Sequence, residues 1–314
     1  MSQVHDRSGR ERFREHSTEV AVTAMETVGA KVPTSTSGAP AGFRSDHTLP
    51  VAVELRRQLR RRRTQLALVL MALLPIILVV AFAFDDGDTG GSVSLVDLAT
   101  TSATNFAVVC LFFSASFLLI VVIALFFGDT IASEASWSSL RYLLAMPVPR
   151  IRLLRQKVIV AGLLSVAALL VLPVVAVVVG LIAYGGGPLA TPVGEQLSFG
   201  TALLRLALIL AFIAVQLAWV AGLALMLSVL TDAPLGAVGG AVLLSILSQI
   251  LNQIEALGVI RDWLPTHYSF AWTGALVNPI RWDDMIRGGF ISLLYAVVFA
   301  TIAVVRFRRK DITS

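Results

Sequence analysis

Charge is scarce in this chain of 314 residues: 14% are Asp, Glu, Lys or Arg, while 56% are hydrophobic. A soluble domain carries roughly a quarter charged residues, so a freely soluble enzyme is excluded at the outset. The single cysteine, Cys110, rules out a disulfide within one chain and any cysteine-built metal site. Inside an apolar run such a thiol acts as a small apolar group. The four histidines, among them His5, His47 and His267, have no metal-ligand spacing. A GxxxxGK[ST] phosphate loop, an HExxH and a GxSxG are all missing, so the chain is not expected to hydrolyse ATP or to hold a metal or cofactor of its own. Ionisable residues are lacking at the centres of the long apolar runs, which counts against a proton- or ion-coupled carrier and against a voltage sensor.

What is present is membrane. Six apolar runs, at 66–84, 106–127, 158–183, 201–230, 235–257 and 285–305, are each long enough for the roughly 20 helical residues that a hydrocarbon core requires. Unpaired backbone groups are costly in lipid, so each run is read as a helix. Residues 1–49 are polar, without sustained periodicity, and are read as a disordered cytoplasmic tail; 50–314 form the six-span domain. Residues 50–63 place Val51, Leu55 and Leu59 four apart among arginines. That pattern fits a basic amphipathic helix lying on an anionic leaflet, and equally a charged flank before the first span. The net charge of +5 does not imply nucleic acid: 12 of the 25 Lys and Arg precede Gln65, and most of the rest flank apolar runs.

The same placement sets orientation. The interval 85–105 has four aspartates and no Lys or Arg, whereas 128–157 has five basic residues and the C-terminal RFRRK has four. Both termini and 128–157 are therefore expected on the cytoplasmic side of the plasma membrane. Residues 258–284 are then external; rich in Trp263, Tyr268, Trp272 and Trp282, they read as a re-entrant or interfacial segment at headgroup depth.

Two groups of residues carry candidate function. In the fifth run Gly236 and Gly240 have GxxxG spacing, and Gln249, Asn252 and Gln253 share one helix face. Those amides either pack helices within one subunit or form a polar stripe that lines a substrate path or a dimer contact. In 128–157, residues 130–146 read as a short helix parallel to the membrane, capped by Asp129 or Thr130, with Glu134 in its first turns and Trp137, Leu140 and Leu144 on one face. Pro147 and Pro149 end it. Either this is a solvated loop with one interfacial helix, or it is a lever that passes on a push from a partner.

The run IASEASWSSLRYLLAMPVPRIRLLRQK resembles the signature of ABC-2 type transporter permeases, a glutamate, Gly-Thr-Leu, Leu-Leu, Pro-x-x-Arg, Leu-Leu, Lys. Glu134 takes the glutamate place, Leu140, Leu143 and Leu144 the apolar ones, Pro147 and Arg150 the Pro and Arg, and Lys157 the lysine; Ser138 and Ser139 replace Gly-Thr. The ending FRRKDITS and the six-span layout are similar too. The resemblance implies an all-α permease with an N-terminal interfacial helix, a cytoplasmic coupling helix at 134–146 and an external re-entrant segment. It also implies a second permease chain, homodimeric or sister, and a separate ABC ATP-binding subunit that binds ATP and Mg. That subunit would seat on Glu134, Trp137, Leu140, Arg141, Leu144, Pro147 and Arg150. The implied activity is export of a hydrophobic or amphipathic substrate such as a drug, lipid or lipid-linked glycan. The rival reading is a non-transporting anchor or regulatory subunit that docks a cytoplasmic protein through 128–157. A membrane-embedded enzyme would need paired ionisable groups near a span end, and only Asp283–Asp284 and Glu255 approach that.

Overall fold

A computed structural model describes residues 51–84, 95–136, 150–191 and 194–309. The expected N-terminal tail and most of the expected coupling helix, at 137–149, lie outside these residues. The described chain is all-α apart from one two-residue hairpin, and among the described residues six helices are long and apolar enough to cross a membrane.

Helix α1 (Val51–Leu59) turns Val51 and Leu55 against the bundle and leaves Arg56 exposed. It hands over through Arg60 and Arg61 to α2 (Arg62–Phe82), which packs on α6 (Arg150–Tyr184). At 35 residues α6 is about 52 Å long. That exceeds the roughly 30 Å hydrocarbon core, so its basic first turns extend beyond it.

The second and fourth spans are each broken in two. The second consists of α4 (Ala103–Ala115) and α5 (Leu118–Ser136), parted at Ser116–Phe117. The fourth consists of α7 (Phe199–Gln216) and α8 (Ala218–Leu230), parted at Leu217. A break in lipid frees carbonyls that a neighbour must satisfy. Gln249 Nε2 donates to the Ser116 carbonyl at 2.7 Å. At the other break, Ser292 Oγ donates to the carbonyls of Val215 and Gln216, at 2.9 and 2.6 Å, and accepts the Trp219 N–H at 3.4 Å. Hydropathy sees only a continuous apolar run at both places, which is why neither break was expected.

The halves pack in separate sets. Helix α8 lies between α5 and α10 (Asp283–Arg309), and α9 (Pro234–Asn252) lies along α5 and α8; α4 instead packs on α6. Short α3 (Leu95–Thr100) precedes α4, whose N-cap is Ser102. The hairpin pairs β1 (Leu189–Ala190) with β2 (Gln196–Leu197) in antiparallel register. Asn105 holds its edge as a strand would, accepting the Ala190 N–H at 2.9 Å and donating to the Ala190 carbonyl at 3.1 Å.

Between α9 and α10 the chain forms two 3-10 helices, Glu255–Trp263 and Ala271–Leu276. The sequence placed Trp263, Tyr268, Trp272 and Trp282 of this segment at headgroup depth. Trp263 and Trp282 are indeed exposed, but Trp272 and Tyr268 are buried, packed inward beneath the segment. Arg205, early in the fourth span, donates to the Ala275 carbonyl at 3.2 Å.

Candidate functional site

The charged residues of an apolar fold show where it does something other than cross lipid. Around the end of α5 they converge. Glu134 accepts from Lys157 Nζ at 3.0 Å and from Arg57 at 2.6 Å, with Arg61 at 3.9 Å. Glu54 on α1 pairs with Arg57 at 2.9 Å and Lys157 at 3.5 Å, and Gln58 Nε2 donates to it at 3.0 Å. Asp129 takes Arg61 at 2.9 Å and also Arg63. Four cations thus face three carboxylates and join α1, α2, α5 and α6.

The pair at the centre is deeply buried, with side-chain exposures of 5% for Glu134 and 4% for Lys157. Ions are tolerated there because each has more than one partner; the desolvation cost of a buried charge is otherwise several kcal/mol. Burial alone would push the Glu54 carboxyl up, but Lys157 and Arg57 outweigh it and hold Glu54 below the usual glutamate range. Its contribution is therefore present above the ordinary glutamate value and is lost as pH falls through the lowered folded value. A void of about 20 Å³ lined by Gln58, Arg63, Asp129 and Lys157 leaves room for about one water.

The end of α5 is held from a second side. Ser228 Oγ of α8 accepts the N–H groups of both Ile131 and Ala132 at 3.0 Å, inserting a side chain into the helix ladder. Opposite, Gly128 lets α9 approach so closely that a Cβ there would lie 2.9 Å from Val238 Cγ2 and 3.2 Å from its backbone nitrogen. One short stretch, Gly128 to Glu134, is thereby tied to five neighbours immediately before residues 137–149.

This corrects one expectation. No new helix starts at Thr130: residues 130–136 continue α5, the second span, so neither Asp129 nor Thr130 serves as an N-cap. Asp129 is drawn into ion pairs, and Glu134 lies inside the node rather than on an outward face. The pattern misled because a helix leaving the membrane and one lying on it both mix apolar and hydroxyl residues. The signature glutamate and lysine, 23 positions apart, are brought into contact.

Residues 52–232, more than half of the chain and every member of the node, match the sequence model described as ABC-2 family transporter protein. The chain belongs to that family. Among curated proteins none is detectably similar in sequence. As an ABC-2 family member with six apolar helices it is a multi-pass membrane protein and the permease subunit of an ABC transporter, a kind of subunit that works with an ABC ATP-binding partner and normally has no ATPase activity itself.

The remaining site residues fall in three places. Trp137, Leu140, Arg141, Leu144 and Pro147 lie outside the described residues, and Arg150 is described only as the first residue of α6. Gln249, Asn252 and Gln253 do not act as one stripe. Gln249 serves the break in the second span, Asn252 Oδ1 meets His267 Nδ1 at 2.7 Å, and exposed Gln253 caps α9 through its backbone. Gln249→Leu in this ABC-2 permease is expected to cost about 0.6–1.7 kcal/mol, the range for hydrogen bonds between membrane helices. Its thermal midpoint in detergent measures this, and an unchanged midpoint would mean that the Ser116 carbonyl finds another donor. The parts of the site that sequence reading missed are Glu54, Arg57, Arg61, Arg63 and Ser228. The available signal was Glu54 itself, a lone acid in an arginine-rich stretch three residues before Arg57.

Proposed function

We propose that this permease exports a hydrophobic or amphipathic substrate across the plasma membrane, with both termini cytoplasmic and a second permease chain, identical or sister, completing the path. A separate ATPase subunit binds ATP and Mg and seats on the segment 134–146 and on Pro147 and Arg150. The observation that carries this reading is the node. A segment bounded by α5 and α6 is flanked on both sides by elements locked together through Glu134–Lys157, so force applied to it is passed into α1, α2, α6 and, through Ser228, α8. Further support comes from the two broken spans, whose inner halves α5 and α8 pack with each other rather than with α4, an arrangement suited to halves that shift as units.

The substrate class rests on the spans: away from their ends, and apart from the node and Arg205, their polar side chains are neutral, and Gln249 and Ser292 are taken up by the helix breaks, which leaves mostly apolar surface to the passenger. Residues 134–146 act as the coupling segment, with Glu134 its buried root and Trp137, Leu140, Arg141, Leu144 and Pro147 its contact residues. Arg150 follows at the start of α6. Trp and Arg are the residue types most often found as interface hot spots, and each such loss weakens association by more than about tenfold.

The test is co-purification. From detergent-solubilised membranes the chain should bring down an ATP-hydrolysing subunit; Trp137→Ala and Arg141→Ala should lose it about tenfold while the thermal midpoint of the permease is unchanged. Glu134 is unsuited to this test because its loss damages the node. A preparation containing no ATPase would instead favour a membrane anchor.

A further inference from the structure

Away from the node, the 3-10 segment and the first turn of α10 enclose a cavity of about 270 Å³. His267, Tyr268, Phe270, Thr273, Arg281 and Asp284 line it. Its floor is fixed: Tyr268 is buried, and His267 is oriented by Asn252 at 2.7 Å and by Asp262, 3.5 Å from Nε2. The position of Arg281 is built in as well. Its N–H donates to the Gly274 carbonyl at 3.1 Å, and a Cβ at Gly274 would lie 2.7 Å from the Arg281 carbonyl oxygen, so only glycine allows that approach.

Arg281 and Asp284 line the same concavity without pairing. Among the described residues neither makes a side-chain hydrogen bond or ion pair, with the other or with any neighbour. A guanidinium and a carboxylate held apart in one cavity are complementary to a ligand that carries both signs. The volume falls just below the roughly 300–1,000 Å³ of drug-sized sites, which suits a headgroup and leaves no room for acyl chains. The exposed rings of Trp263, Phe270 and Trp282 in the same segment mark the depth at which headgroups sit.

We infer that this cavity binds a zwitterionic amine–phosphate headgroup, with the phosphate at Arg281 and the ammonium at Asp284. A planar guanidinium is matched to phosphate oxygens, and a charge-assisted bond there is worth more than a neutral one. The inference does not depend on the transport reading, since a lipid held here need not be the passenger.

The full chain purified in mild detergent is titrated with short-chain phosphatidylethanolamine, short-chain phosphatidylglycerol and water-soluble phosphoethanolamine, with binding read by native mass spectrometry. The unsubstituted protein is expected to prefer phosphatidylethanolamine to phosphatidylglycerol by about tenfold, the size of one charge-assisted hydrogen bond. Arg281→Gln should weaken both lipids about tenfold. Asp284→Asn should abolish the preference while leaving phosphatidylglycerol bound at least as well, and the neighbouring Asp283→Asn should change nothing. Displacement of the lipid by free phosphoethanolamine would place recognition in the headgroup alone; binding of the lipid without such displacement would require the membrane-embedded ligand. Equal binding of the two lipids by the unsubstituted protein, or identical behaviour of the Asp284 and Asp283 variants, would overturn the assignment.

Discussion

Replacing Glu134 by Gln is expected to destabilise the purified chain by about 3–5 kcal/mol, the usual cost of removing one partner from a buried ion pair. Without Glu134 the four cations Arg57, Arg61, Arg63 and Lys157 face only Glu54 and Asp129, and Lys157, 4% exposed, keeps a single partner at 3.5 Å. Lys157→Met should cost less. It leaves three cations against three carboxylates, and Glu134 keeps Arg57 at 2.6 Å. The double variant should be less damaging than the sum of the two, because neither charge is then left buried alone. Unfolding in mixed micelles measures all three. A Glu134→Gln protein as stable as the original, or additivity of the pair, would mean that the node is solvated and not a joint. Loss of ATPase coupling in a fully stable Glu134 variant would restore this glutamate to the contact surface.

Where the spans lie was legible because lipid imposes one demand, some twenty apolar residues without exposed backbone, and the composition of 66–84 or 285–305 states it openly. How the spans are broken was not legible. Ser116 and Leu217 look like any other residues of an apolar run, and the groups that make their breaks tolerable, Gln249 and Ser292, lie 133 and 75 residues further along the chain. The node was half legible. Glu134 and Lys157 could be picked out by their likeness to a family pattern, but their contact depends on α5 and α6 lying side by side, which no local spacing encodes. The arginines at 56–63 were read through their number, as a positive flank. Three of them, Arg57, Arg61 and Arg63, instead have individual carboxylate partners. Charge counting can give an orientation but cannot tell a lipid-facing arginine from one in a joint.

Close helix approach was expected at Gly236 and Gly240, and there the geometry is permissive rather than tight. A Cβ on Gly236 meets only Ala233 Cβ, at 3.8 Å, and one on Gly240 meets the end of the Leu227 side chain at 3.1 Å. A helix contact that does need glycine is at Gly222 in α8: a Cβ there would lie 2.9 Å from the Ala296 carbonyl oxygen and 3.1 Å from its Cα, against the backbone of α10. A backbone cannot rotate away as a side-chain tip can, so α10 would have to move, and with it Ser292, which caps the break between α7 and α8. Gly222→Val is therefore expected to cost about 3 kcal/mol, the upper end of overpacking, and to lower the thermal midpoint in detergent. Gly239→Ala, with nothing within 4 Å of the added Cβ, should be neutral or gain about 0.5–1 kcal/mol from the better helix former. The pair separates two uses of glycine. If Gly222→Val is harmless, α8 and α10 are not locked and the fourth span is free to slide on the last. If Gly236→Ala or Gly239→Ala is harmless in the isolated chain but harmful in the assembled transporter, the open face of α9 is where a second permease chain rests.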